Sequence, residues 1–235
     1  MVISYVFLIF VREGEWNIPV KQINRPDTTV HYRTLLRRDK NFRWFLVVRI
    51  LFQFANMGVG FYTVYAVKEH GISGSMAGYL TALMTFALMI GSPLAGWYGD
   101  RKGHRLVLGM GALAASVSAL CAWLAPAAGW FYLVYVLAGL ANVGTWTPVL
   151  SMTLQFGHEV ERPVYIGLAN TLVAPFAIFA PLLGGWLADM AGYPVTFIVS
   201  LVGGLLTACV VFFFLRDPRA QESREHGAIS PESGS

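Results

Sequence analysis

Long apolar blocks separated by short polar stretches organise this 235-residue chain. The blocks run over residues 44–67, 74–98, 106–125, 130–154, 164–188 and 194–215. Each approaches or exceeds the roughly 20 residues that a helix needs to cross about 30 Å of hydrocarbon. Backbone N–H and C=O groups in lipid must be satisfied within their own segment, so every block is predicted to be a helix. The expected fold class is all-α: a polytopic membrane helix bundle of six transmembrane helices.

The stretches outside the blocks divide the rest of the chain. Residues 1–11, MVISYVFLIFV, are apolar but reach only about 16 Å as a helix at 1.5 Å per residue. No cation precedes them and Arg12 follows, which is not the charge order of a signal peptide. They read as the end of a truncated transmembrane helix. Residues 12–43 carry Pro19, Pro26 and eight basic residues, as expected of a cytoplasmic connector. Its last part, RTLLRRDKNFR, suits either a short amphipathic helix at an anionic leaflet or a solvated linker. Residues 44–215 form the six-helix domain. The mixed-charge stretch 216–235 is expected to be a disordered cytoplasmic tail.

Composition agrees with the pattern. The chain is 56% hydrophobic and 13% charged, where a soluble domain has roughly a quarter of its residues charged. The net charge of +4 gains meaning from its placement. All 17 lysines and arginines except Arg49 and Lys68 fall in residues 12–43, 99–105, 156–162 or the tail. If these share one side, cations are sorted to the cytoplasm and both termini lie there. A nucleic-acid face would interleave basic with polar and aromatic residues on a folded surface. The expected surroundings are therefore a lipid bilayer, the plasma (inner) membrane, and no nucleic acid is expected as a partner.

Two short stretches share a frame. GWYGDRKGHR, residues 96–105, and GWLADMAGYP, residues 185–194, align Gly96, Trp97, Asp100 and Gly103 with Gly185, Trp186, Asp189 and Gly192. Arg101 and Lys102 of the first copy become Met190 and Ala191 in the second. Three spans separate the copies, so they fall on opposite faces, with only the inner copy charged. This predicts a 3+3 inverted repeat. A chance match of small-residue loops is the alternative.

Catalytic and cofactor patterns are missing. Cys121 and Cys209 sit inside spans without metal-ligand spacing. His31, His70, His104, His158 and His226 are scattered over loops on both faces. There is no GxxxxGK[ST] stretch for ATP, and Gly109-Met-Gly111 lacks a third glycine. No enzyme activity, cofactor or metal is expected. No Asp or Glu lies deep in a span, so any proton-coupling group of the kind membrane relays use is absent here or sits in another half.

Polar side chains within spans are costly in lipid unless they face protein or water, which marks them as candidates for a solute path. Arg49, Gln53, Asn56 and Gly60 recur at i, i+4, i+7 and i+11, one face of the first span. Asn142, Thr145, Trp146, Thr147 and Ser151 surround Pro148 in the fourth, and Asn170 and Thr171 lie in the fifth ahead of Pro175 and Pro181. Hydrogen bonding between helices is the competing role, and Arg49 has the further option of snorkelling to the inner surface. Small residues four apart, such as Gly91, Ala95 and Gly99, suit close helix packing.

The 96–105 loop resembles the signature loop of the major facilitator superfamily, G-x-L-A-D-R-x-G-R-R, between the second and third helices of a six-helix half. Gly96, Asp100, Arg101, Gly103 and Arg105 match; Tyr98, Gly99 and His104 depart. The short apolar start and long basic connector resemble the junction before a second half, so the spans would be helices seven to twelve. The resemblance implies a secondary transporter that moves a small-molecule substrate by alternating access. It also implies a partner, either an N-terminal half or a second copy. In that family the first and fourth helices of each half line the cavity, which points to Arg49, Gln53, Asn56, Asn142, Trp146 and, from the fifth, Asn170. It further implies that Gly96, Asp100, Arg101, Gly103 and Arg105 form a gating latch with Glu161 and Arg162, where Pro163 opens the fifth span. The alternatives are a transport-inactive fragment and a membrane-embedded protein that only binds partner helices.

Overall fold

Apolar blocks of this length fold as helices because nothing else satisfies their backbone in lipid, and helices are what the computed structural model shows. It describes residue 36 and residues 39–153, 156 and 162–215. The chain divides into two compact units at Leu35–Leu36, and all that follows concerns the second. The helix end expected at 1–11, most of the connector, Glu161 and the tail lie outside the described residues.

Seven helices make up the described residues: α1 (Lys40–Ala55), α2 (Val59–His70), α3 (Gly74–Lys102), α4 (His104–Trp123), α5 (Trp130–Thr153), α6 (Arg162–Ala191) and α7 (Tyr193–Phe213). Six segments are long and apolar enough to cross a membrane, with α1 and α2 together forming the first. Among the described residues there is no strand.

That first span is broken in its middle. Asn56, Met57 and Gly58 turn tightly between α1 and α2, and the Gly58 N–H donates to Ser200 Oγ on α7 at 2.8 Å. An amide freed by a helix break inside lipid must find such a partner. Asp39 caps the start of α1, its carboxylate accepting from the Phe42 N–H at 2.9 Å.

The two loops expected to be copies have one backbone geometry. Gly103 (φ 95°, ψ 138°) separates α3 from α4, and Gly192 (φ 86°, ψ 161°) separates α6 from α7. Each glycine N–H donates four residues back, to Gly99 O at 2.9 Å and Ala188 O at 3.1 Å. The helices on either side also correspond, at 29 and 20 residues in the first copy and 30 and 21 in the second.

Helix α4 packs against α5 and α7, α3 against α5, and α1 against α7. Glycines set the closest approaches. Gly111 on α4 and Gly144 on α5 meet backbone to backbone, so a Cβ on Gly111 would stand 2.5 Å from the Gly144 Cα. Van der Waals packing of this kind is what holds helices together when lipid is as apolar as leucine. Buried aromatics fill one end of the bundle, where Tyr62, Phe131 and Phe197 belong to one cluster. Helices α3 and α6 carry long unburied apolar faces, including Tyr79, Met89 and Leu94 on one and Ile178, Leu182 and Met190 on the other.

Candidate functional site

A cavity of about 600 Å³ opens beside the break in the first span. Its wall combines Arg49, Gln53 and Asn56 from the first span, Asn142, Thr145, Trp146, Val149 and Thr153 from α5, and Ile166 and Asn170 from α6. The six residues to which the family resemblance pointed lie around one space, and Thr145 of the wider polar set joins them, whereas Gly60 and Ser151 are outside the lining. Arg49 and Gln53 share one face of α1 and Asn56 continues that face at the helix's C-terminal cap, which is the reason they converge. On α5 the lining positions 142, 145, 146, 149 and 153 follow helical periodicity as well, so Val149 and Thr153, which sequence reasoning passed over, were reachable by extending that stripe. Thr171 is exposed and outside the lining, and the Thr147 side chain lies outside the described residues.

Within the cavity polar groups are partly satisfied. Arg49 donates through Nη1 and Nη2 to Asn170 Oδ1, at 3.2 and 3.3 Å. It therefore reaches across to α6 instead of snorkelling along its own helix. Asn142 donates to the Ala138 carbonyl one turn back at 3.0 Å. The Asn56 Oδ1 is buried without a donor. A buried unpartnered carbonyl costs about 1–3 kcal/mol, which marks the break as a place where structure is not optimised for stability alone.

At the opposite structural extreme, the α3–α4 turn is heavily braced. His104 Nε2 stands 3.5 Å from Asp100 Oδ1, and the histidine is buried. The Arg101 guanidinium lies over the Trp97 ring, 4.3 Å from its centroid. Arg105 donates from Nε to the Val211 carbonyl at 3.0 Å and from Nη2 to the Phe212 carbonyl. Both carbonyls belong to the end of α7, where helical partners run out. Sequence reasoning directed Arg101 and Arg105 toward Glu161, which lies outside the described residues. His104, which departs from the signature pattern where a basic residue is usual, is buried and belongs to the packing of the turn. Arg162 begins α6, and its Nε is buried without a hydrogen-bond partner.

No cluster of three or more metal-ligating side chains occurs among the described residues. Cys121 and Cys209 are free thiols.

The chain is similar in sequence to known proteins. Multidrug resistance protein MdtG of Dickeya zeae is 30% identical over 170 residues, covering 70% of this chain and 41% of its own length. Multidrug resistance protein 1 of Bacillus subtilis is 26% identical over 175 residues, 73% of this chain and 45% of the relative. Quinolone resistance protein NorA of Staphylococcus aureus is 21% identical over 166 residues, 71% and 42% respectively. The chain thus spans less than half the length of these relatives. The Major Facilitator Superfamily profile matches residues 45–233, most of the chain, taking in five of the six membrane-crossing segments whole and most of the first. With its six membrane-crossing helical segments and its two matched glycine turns, this integral membrane protein belongs to the Major Facilitator Superfamily of transporters.

Proposed function

We propose that the chain acts as the C-terminal six-helix half of a secondary transporter that moves a small solute by alternating access. The cavity carries this reading: three spans contribute polar, aromatic and aliphatic groups to one space of a size suited to a small ligand. One half offers only one wall, so a partner half, or a second copy related by two-fold symmetry, completes the path. The unburied faces of α3 and α6 suit such docking. In this arrangement Gly96, Asp100, Arg101, Gly103 and Arg105, with Arg162 and Glu161, latch the inner helix ends, and both termini face the cytoplasm of the inner membrane. Names of relatives, which speak of multidrug and quinolone resistance, make amphipathic drug-like compounds the first class to try.

Flux into proteoliposomes tests this reading, using the full chain alone and together with an N-terminal six-helix half, against a panel of amphipathic dyes. Saturable flux that falls on Asn142→Leu or Trp146→Ala supports it. Flux no faster than through empty liposomes in both preparations would refute it. Reporter fusions address orientation separately: residues 99–105 and 185–194 are expected on opposite faces, and a shared face would overturn the inverted repeat. A protein that only binds helices would have its polar groups mutually satisfied. An open cavity and the donorless Asn56 Oδ1 count against that alternative.

A further inference from the structure

Among the described residues, Arg49 is a cation with no counter-charge beside it. Its hydrogen-bond acceptor there is Asn170 Oδ1, an uncharged amide oxygen that takes both Nη1 and Nη2. A guanidinium has five N–H donors, so three remain beyond this contact. The Phe45 ring lies 6.0 Å from Cζ, at the outer edge of useful cation–π attraction. No carboxylate lines the cavity among the described residues. A charge held among membrane-spanning helices with only neutral partners is costly and normally answered by an opposite charge.

Building on the transport reading, we infer that the solute is an amphipathic organic anion, its acidic group held by Arg49 and its apolar body against Trp146 and Ile166. Arg49 presents the charge, and its donors match the oxygens of a carboxylate or sulfonate. Asn170 fixes the guanidinium by bridging α1 to α6. Trp146, 72% exposed beside the cavity, offers a flat apolar surface with spare area. The same cation disfavours a cationic solute by like-charge repulsion.

A matched set of dyes on one aromatic scaffold tests this, bearing a sulfonate, a quaternary ammonium or no charge. Binding to the full chain in zwitterionic nanodiscs is followed by quenching of Trp146 emission, with Trp146→Phe as the blank. The anionic dye is expected to bind at least about tenfold more tightly than the cationic one. Arg49→Gln should weaken the anion by about 10- to 100-fold while leaving the neutral dye within about twofold, a built-in check that the cavity still folds. Arg49→Lys should retain part of the preference.

Equal or tighter binding of the cationic dye overturns the inference. So does undiminished anion binding in Arg49→Gln, the result expected if a carboxylate of a second polypeptide answers Arg49. Six other tryptophans remain in Trp146→Phe, so it is quenching left undiminished by that change that places the dye elsewhere and also overturns the inference. Flux of the same dyes separates the two readings. Anion binding without flux keeps this assignment and refutes transport, whereas flux without charge preference does the reverse.

Discussion

His104 lies directly over Gly99, so closely that a Cβ on the glycine would stand 2.4 Å from the imidazole Nδ1. The ring's other nitrogen faces Asp100 at 3.5 Å, and the histidine is 2% exposed. A buried ring has no free space to retreat into, so Gly99→Ala is expected to push it away from Asp100. The expected cost is about 1–3 kcal/mol, the range for overpacking. Gly96, three residues earlier, has open space where its Cβ would go. Gly96→Ala should stay within about 0.5 kcal/mol of the parent. Thermal unfolding in detergent distinguishes the two, and equal midpoints would remove His104 from the packing of this turn.

The two matched turns predict a matched pair of effects. Gly103 and Gly192 both adopt positive φ, at 95° and 86°, each as the residue linking two long helices. A side chain at positive φ with such an extended ψ is disfavoured by about 1–3 kcal/mol. Gly103→Ala and Gly192→Ala should therefore lower the unfolding midpoint to a similar extent, although one loop is charged and the other is not. A drop confined to Gly103→Ala would mean that the two turns are alike in backbone only.

How much of this was legible beforehand depends on the range of the cause. Span number follows from block length, a local property, and the paired turns follow from two glycines at equal offset. The cavity lining followed from helical spacing on α1 and α5. By contrast, the break at residues 56–58 depends on Ser200, which is 142 residues away and is invisible to any local pattern. Burial of His104 and the grip of Arg105 on the end of α7 are likewise products of packing. Sequence motifs marked these side chains as charged loop residues and gave no hint of what they touch.

Glycine spacing hinted at close helix contacts, and the structure says which of them matter. Gly111→Ala or Gly144→Ala would drive a methyl into opposing backbone, 2.5 and 2.4 Å from the facing Cα atoms. Backbone cannot swing aside as a side chain can, so α4 and α5 must separate. A loss of about 1–3 kcal/mol is expected for each. Gly78, on α3, meets nothing within 4 Å. Gly78→Ala removes backbone freedom from the unfolded chain and should be neutral or stabilising by up to about 1 kcal/mol. Unfolding midpoints that rank Gly78→Ala below Gly111→Ala would contradict the placement of the α4–α5 crossing.

Ser200 supplies a partner that the broken first span lacks on its own. Ser200→Ala leaves the buried Gly58 N–H without its acceptor, at a cost of about 1–3 kcal/mol. The change should appear first as faster amide exchange around residues 56–60, since the neighbouring α1 and α2 keep their own hydrogen bonds. A uniform increase across α7 instead would assign Ser200 to helix packing and not to the break.

Arg105 joins the α3–α4 turn to the far end of the chain by holding the Val211 and Phe212 carbonyls. Those carbonyls fall in the last turn of α7, where cations are favoured by typically 0.3–1 kcal/mol and up to about 2 kcal/mol when partly buried. Arg105→Gln loses the charge, and Arg105→Lys keeps it but loses the fork. The expected order of stability is parent, then Lys, then Gln, with the full loss at about 1–2 kcal/mol. Amide exchange over residues 208–215 should rise in the same order. A latch role makes a different demand: Arg105→Gln would then change cysteine accessibility at the helix ends around the α3–α4 turn whether or not α7 frays. Should accessibility change while exchange over α7 stays at the parent level, Arg105 works on those helix ends and its grip on α7 contributes little.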